Sequence, residues 1–289
     1  MRLIRFGEKG NEKPGVLTAE GLRVDASGEF HDYNEVFFAG GGMEMLARWV
    51  ARGCPNAAEV AKDVRWGPPL ARPSKLVCVG KNYLDHAAEL GEGIPLEPTL
   101  FMKATSAWNG PADDVRIPRG STKLDYEVEL AVVIGRVVSY VEENEALDCI
   151  AGYATFCDFS ERAFQKDMGG QWTKGKSADT FAPIGPCLVT PEEVPDPQTL
   201  RLWCKVNGKS RQSSSTGDML FPIRHLVSYI SRFMTLLPGD VIATGTPAGV
   251  AMGMTPPSYL QAGDRVECGV EGLGEIHNRI VTTPAYLGH

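Results

Sequence analysis

Residues 123–135 read KLDYEVELAVVIG, and this run decides both the fold class and where to look for chemistry. Its second half, Leu130 to Ile134, is apolar without a break and mostly β-branched, as in a strand buried on both faces. Just ahead stand Glu127 and Glu129. In an extended chain successive side chains alternate faces, so residues two apart project the same way. Glu127 and Glu129 are therefore expected side by side, with Val128 and Leu130 opposite. Two carboxylates held so close repel, and burial adds a desolvation penalty for each. A divalent cation would remove both penalties. So would an exposed sheet face on which both acids meet water, and the pair alone leaves the two readings open.

Working outward, similar β-rich runs recur between turn signals. KLVCVG (75–80), RLWCKVNG (201–208) and EIHNRIV (275–281) read as strands. LPGDVIATG (237–245) and QAGDRVECGV (261–270) each place a Gly-Asp turn ahead of β-branched residues. Helical patterns are fewer: MEMLARWVAR (43–52), ENEALDCIAG (143–152) and RHLVSYISRFM (224–234). WGPPLARPSK (66–75) is dense in Pro and Gly and reads as a linker. The expectation is a mixed α+β, mainly β chain, with a small N-terminal domain over 1–70 and a larger β-rich domain over 71–289.

The chain has 289 residues and 29 Lys plus Arg against 36 Asp plus Glu, and this acidic balance argues against nucleic acid as a partner. No apolar run is long enough to span a bilayer. The start, MRLIRFGEKG, lacks the apolar core of a secretory signal, so a cytoplasmic location is expected. Seven cysteines are present, an odd number without a C-x-x-C motif, and several lie in strand-like runs; buried free thiols are expected.

TFCDFSER (155–162) ends an apolar run on Asp158, where a third acid can converge on the first two. Three carboxylates without histidine would form a hard, oxygen-only site for Mg²⁺, Mn²⁺ or Ca²⁺. Zinc and non-haem iron are disfavoured, because the five histidines are scattered and no Cys/His cluster has ligand spacing. GQWTKGKS (170–177) matches the phosphate-loop pattern, but a polar segment precedes it and Pro183 and Pro186 follow, where that motif requires a strand and then a helix.

Several motifs together resemble the fumarylacetoacetate hydrolase family: VGKNYLDHAAELG (79–91), LFMKATSAWNGP (100–111), DYEVELAVVIG (125–135), CDFSERAFQ (157–165), GGQWTKGKSADTFAPIGP (169–186) and MTLLPGDVIATGTPAGV (234–250). They cover the chain from about residue 72, in the family's order. The resemblance implies a β-roll or β-sandwich catalytic domain, usually dimeric, with metal carboxylates at Glu127, Glu129 and Asp158. It implies an active-site lysine at Lys176, a substrate-contacting threonine at Thr246, and a His86–Glu89 pair on a lid segment. Tyr83, Arg162 and Gln165 fall at pocket-lining positions. Phe156–Phe159 and Lys81 depart from the commoner pattern, which bears on substrate identity.

The implied activity is metal-dependent hydrolysis of a C–C bond in a β-diketo acid of the acylpyruvate type, with Mg²⁺ or Mn²⁺ as cofactor and Ca²⁺ admitted as an occupant. Decarboxylation of oxaloacetate-type acids, or isomerase or lyase chemistry on a related oxo acid, would use the same site. A non-catalytic protein holding a structural Ca²⁺ is the reading from another class.

Overall fold

The computed structural model describes residues 1–89 and 93–283. Two sheets carry the core. At the centre of the larger one, Val128–Ile134 runs antiparallel to Ile150–Cys157, with Val128 opposite Cys157 and Glu129 opposite Phe156. All seven residues of Val128–Ile134 are buried, as an unbroken apolar strand between two neighbours requires. Its other edge pairs with Val241–Ala243. That short strand lies parallel to Leu76–Gly80, which carries Thr99–Met102 at the sheet's edge.

In the opposite direction Ile150–Cys157 pairs with Ala182–Val189, which pairs in turn with Arg2–Phe6. Residues 1–70, expected as a small leading domain, thus place their first strand directly in the ladder of the large sheet, with Leu3 opposite Leu188. Trp66–Gly67, inside the expected linker, pairs with the same first strand.

The second sheet runs Lys209–Ser215, Arg201–Val206, Arg265–Val270, Gly274–Thr282 and Val115–Ile117. Hydrogen bonds tie it to the first. Gln212 Oε1 accepts from the Val128 amide at 2.9 Å, and the Thr155 hydroxyl donates to the Gly274 carbonyl at 2.8 Å. The chain is mainly β, as the alternation of strand and turn signals predicts.

Helices form at Gly42–Ala51 and Ile223–Ser231, within or close to the predicted stretches. The third predicted helix does not form. Over 143–152 the acidic half is turn, a single 3₁₀ turn spans Leu147–Cys149, and Ile150 already opens the strand Ile150–Cys157. Helix-start signals at Glu143 and Glu145 lose to a tertiary ladder that pairs on both edges. All seven cysteines are free, and only Cys54 is not buried. Burial pushes the Cys78, Cys157 and Cys268 thiols well above their ordinary range, which keeps them protonated and inert.

Candidate active site

The central strand delivers the acids. Glu127 immediately precedes it rather than lying in it, and its carbonyl accepts from the Asp158 amide at 2.9 Å. That bond closes the mouth of the Val128–Cys157 pairing and brings Asp158, one residue past the neighbouring strand, level with the two glutamates. Glu127, Glu129 and Asp158 each offer one carboxylate oxygen, and these three oxygens lie within 4.8 Å of one another. All three residues are buried.

Around them stand buried cations. The Lys176 ammonium donates to Glu127 Oε2 at 2.6 Å and to Asp158 Oδ2 at 2.7 Å. The Arg162 guanidinium divides its donors among Glu127 Oε1 (2.5 Å), Asp125 Oδ2 (2.9 Å) and Gln165 Oε1 (3.0 Å). Lys103 forms a short hydrogen bond to Asp158 Oδ1. Glu129 receives only a backbone donor among the described residues, the Gly245 amide at 2.8 Å.

Titration behaviour follows from this division. Burial alone would raise the Glu127 carboxyl, but Arg162 and Lys176 outweigh it and hold the group far below the usual carboxylate range. Burial raises Glu129 well above that range, and the neighbouring charges of Asp158 and Glu127 push it the same way. Burial opposes the charge on Lys176, yet Asp158 and Glu127 raise it above its ordinary value. The donor set is three hard carboxylates, one of which, Glu129, has no hydrogen-bonded cation among the described residues. It fits a hard divalent cation and offers nothing for a soft one.

A cavity of about 420 Å³, open mouth included, borders the trio, with walls that include Glu127, Glu129, Lys176, Arg162, Gln165, His86 and Thr246. Phe101, Trp172 and Met252 supply apolar wall. Trp172 stands edge-on to Phe101 with centroids 5.3 Å apart. It can do so because Gly80 has no side chain: a Cβ there would lie 2.5 Å from the indole.

His86 and Glu89 share the short helix Leu84–Glu89. His86 Nδ1 lies 3.4 Å from Glu89 Oε2, a long contact, and Glu89 also accepts from the Gly249 amide at 3.0 Å. Residues 90–92, within the expected lid, lie outside the described residues. The Thr246 hydroxyl donates to the Val128 carbonyl and accepts from Gln212 Nε2, both at 2.8 Å, so its proton is committed to the fold.

Tyr83 does not join the others. It is fully buried, is absent from the cavity wall, and its hydroxyl finds no partner among the described residues. Removing an unpaired buried hydroxyl removes a desolvation penalty and no bond. Tyr83→Phe is therefore expected to leave KM within about twofold and to keep or slightly raise Tm. A large rise in KM would place the hydroxyl on the substrate.

Two site residues received no role from sequence. Asp125 accepts from Arg162 and from the Ala251 and Met252 amides, so it anchors the backbone beside the cavity. Lys103 sits within a quoted motif, but nothing in LFMKA distinguishes a buried lysine from the usual solvated one.

A mainly β frame thus holds three buried carboxylates, an arrangement that could hold a hard divalent cation, at the edge of a cavity. The model of the "Fumarylacetoacetate (FAA) hydrolase C-terminal" family matches residues 75–281, and the chain belongs to the fumarylacetoacetate hydrolase family. It is 49% identical over 276 residues to a Burkholderia multivorans protein that carries only a provisional hydrolase name, covering 95% of this chain and 97% of that one. It is similar to the 5-carboxymethyl-2-hydroxymuconate delta-isomerase of Mycobacterium smegmatis, at 34% identity and TM-score 0.77, over 99% of this chain and 100% of the other. Maleylpyruvate hydrolase from Sphingobium sp. SYK-6, solved with manganese(II) and pyruvate, matches at 29% identity and TM-score 0.81, over 98% and 100%. Among the described residues no helix is long and apolar enough to cross a membrane.

Proposed function

We propose that this protein is a divalent-metal-dependent hydrolase that cleaves a C–C bond in a β-diketo acid of the acylpyruvate type. The reading rests on one observation: three buried carboxylates converge beside a cavity, two of them, Glu127 and Glu129, on its wall, together with a histidine paired with a glutamate. Glu127, Glu129 and Asp158 would hold the cation. Mg²⁺ and Mn²⁺ both suit the donor set, and manganese(II) with pyruvate in a related hydrolase supports the same assignment. When bound, the cation supplies Lewis acidity and a template for an α-oxo carboxylate.

His86 acts as the base. It takes a proton from water while Glu89, held in place by the Gly249 amide, orients the ring. The 3.4 Å separation shortens once substrate fills the cavity, as catalytic contacts commonly do. Hydroxide adds to the distal carbonyl, the C–C bond breaks with the electron pair left on the oxo-acid fragment, and that fragment takes the proton back from His86. Lys176 stabilises that developing negative charge. Gln165 has its oxygen fixed as acceptor from Arg162, which leaves its amide N–H₂ to donate to a substrate oxygen.

The test is a panel of acetylpyruvate, a longer acylpyruvate, oxaloacetate and a hydroxymuconate-type oxo acid, assayed with Mg²⁺ and with Mn²⁺. Hydrolysis of acylpyruvates supports the reading. Turnover confined to oxaloacetate would make the protein a decarboxylase, and turnover confined to the muconate an isomerase. His86→Ala is expected to lower kcat by about 10²–10⁴ while metal affinity stays within severalfold. A His86→Ala enzyme with unchanged kcat would remove the base from this scheme.

A further inference from the structure

Lys103 follows the edge strand Thr99–Met102, and its side chain has no exposure at all. An ammonium so placed persists only where fixed partners replace water. Two do so here: Asp158 Oδ1, and the Phe159 carbonyl at 3.0 Å. The Phe181 ring adds its face at 5.8 Å. Neither Lys103 nor Asp158 lines the cavity, so Lys103 would act on a bound cation through Asp158, the one acid of the trio it touches.

The same division recurs at each acid of the trio. Glu127 has Oε1 tied by Arg162, Glu129 has Oε2 tied by the Gly245 amide, and Asp158 has Oδ1 tied by Lys103. One oxygen per carboxylate is thus taken by the frame, and the second oxygens of Glu127 and Asp158 are in turn held by the Lys176 ammonium, with which a bound cation would have to share them. An arrangement that offers one oxygen per acid would leave a cation's remaining positions to water and substrate. It also denies a cation the second oxygen of a chelating carboxylate.

We propose that Lys103 is a positioning residue that makes Asp158 a one-oxygen donor and thereby biases the trio toward Mg²⁺ or Mn²⁺ over Ca²⁺. The proposal rests on the metal-dependent reading above. Mg²⁺ demands near-octahedral geometry at about 2.0–2.1 Å, whereas Ca²⁺ takes six to eight oxygens at about 2.3–2.6 Å and readily accepts carboxylates through both oxygens. Without Lys103, Asp158 is free to turn and chelate, and the site opens to the larger ion.

Calorimetric titration of Mg²⁺, Mn²⁺ and Ca²⁺ into wild type, Lys103→Met and Lys103→Gln tests this, with thermal unfolding run beside it to confirm folding. In Lys103→Met the Mg²⁺/Ca²⁺ affinity ratio is expected to fall by about tenfold or more, the range typical of groups that orient a metal ligand. Lys103→Gln can still donate to Oδ1 and is expected to fall less. An unchanged ratio in a folded variant overturns the proposal, as does a uniform loss of all three metals. Crystal structures of wild type with Mn²⁺ and with Ca²⁺ decide the matter even if neither variant folds. Asp158 bound through one oxygen, with Lys103 on the other, supports the proposal, and Asp158 chelating Mn²⁺ through both sinks it. Failure of wild type to bind any of the three metals would instead strike the metal-dependent reading itself.

Discussion

Glu129→Gln should abolish the response to metal while making the metal-free protein more stable. Glu127 and Asp158 each contact two buried cations, but among the described residues Glu129 contacts none and is held by a backbone amide. Its charge is therefore the least compensated of the three. With the folded-state carboxyl raised well above its ordinary 4.5, the stability that its protonated form contributes is fully present below that value. It is lost as pH climbs through the folded-state value. The metal-free enzyme should thus lose stability from weakly acidic to alkaline pH, and Mg²⁺ should restore more at the alkaline end. Glutamine keeps the shape, can still accept from the Gly245 amide and carries no charge. At pH 8 the metal-free variant is expected to gain about 1–3 kcal/mol, the scale of a buried charge relieved, at about 2–4 °C of Tm per kcal/mol. Its metal-induced Tm shift should vanish. Turnover should fall by roughly 10³ or more, since a Lewis acid is worth several kcal/mol and each 1.36 kcal/mol is tenfold in rate. Scanning calorimetry across pH, with and without Mg²⁺, reads the stability half. A variant that keeps its metal shift and its turnover would dismiss Glu129 as a ligand.

Lys176→Met is expected to separate stability from catalysis. The ammonium bridges two carboxylates at 2.6 and 2.7 Å in a site where it is 2% exposed. Removing one member of a buried ion cluster typically costs about 3–5 kcal/mol, because the remaining charges stay buried without their partner. The metal-free variant should therefore melt well below wild type. Saturating Mg²⁺ should recover much of that Tm, because a divalent cation can balance the same oxygens. It should not recover kcat, which is expected to stay about 10²–10³ below wild type if Lys176 stabilises charge developing in the transition state. If metal restored both, Lys176 would be a structural counter-ion only.

Family membership and the mainly β architecture were legible in the chain because strand alternation, Gly-Asp turns and motif order are local and ordered properties. The acidic run was the most informative stretch. A period of two places residues i and i+2 on one side whatever the fold, and Glu127 and Glu129 do meet, although Glu127 stands one residue ahead of the strand. Residues 143–152 misled because their acids imitate a helix start, and only the partner strands on either side of Ile150–Cys157 overrule it. Tyr83 was drawn toward the pocket by its place in VGKNYLDH, yet one strand-to-helix turn carries its ring into the core.

What the sequence determined by itself is the identity of the acids, the mainly β character of the chain and the order of its motifs. The tertiary structure alone decided which charge sits on which oxygen. Lys103 and Asp158 are 55 residues apart, and Arg162 reaches Glu127 across 35. A lysine on paper reads as a solvated charge until the chain around it excludes water. Pairings between distant side chains depend on register and burial, and neither has a local signature.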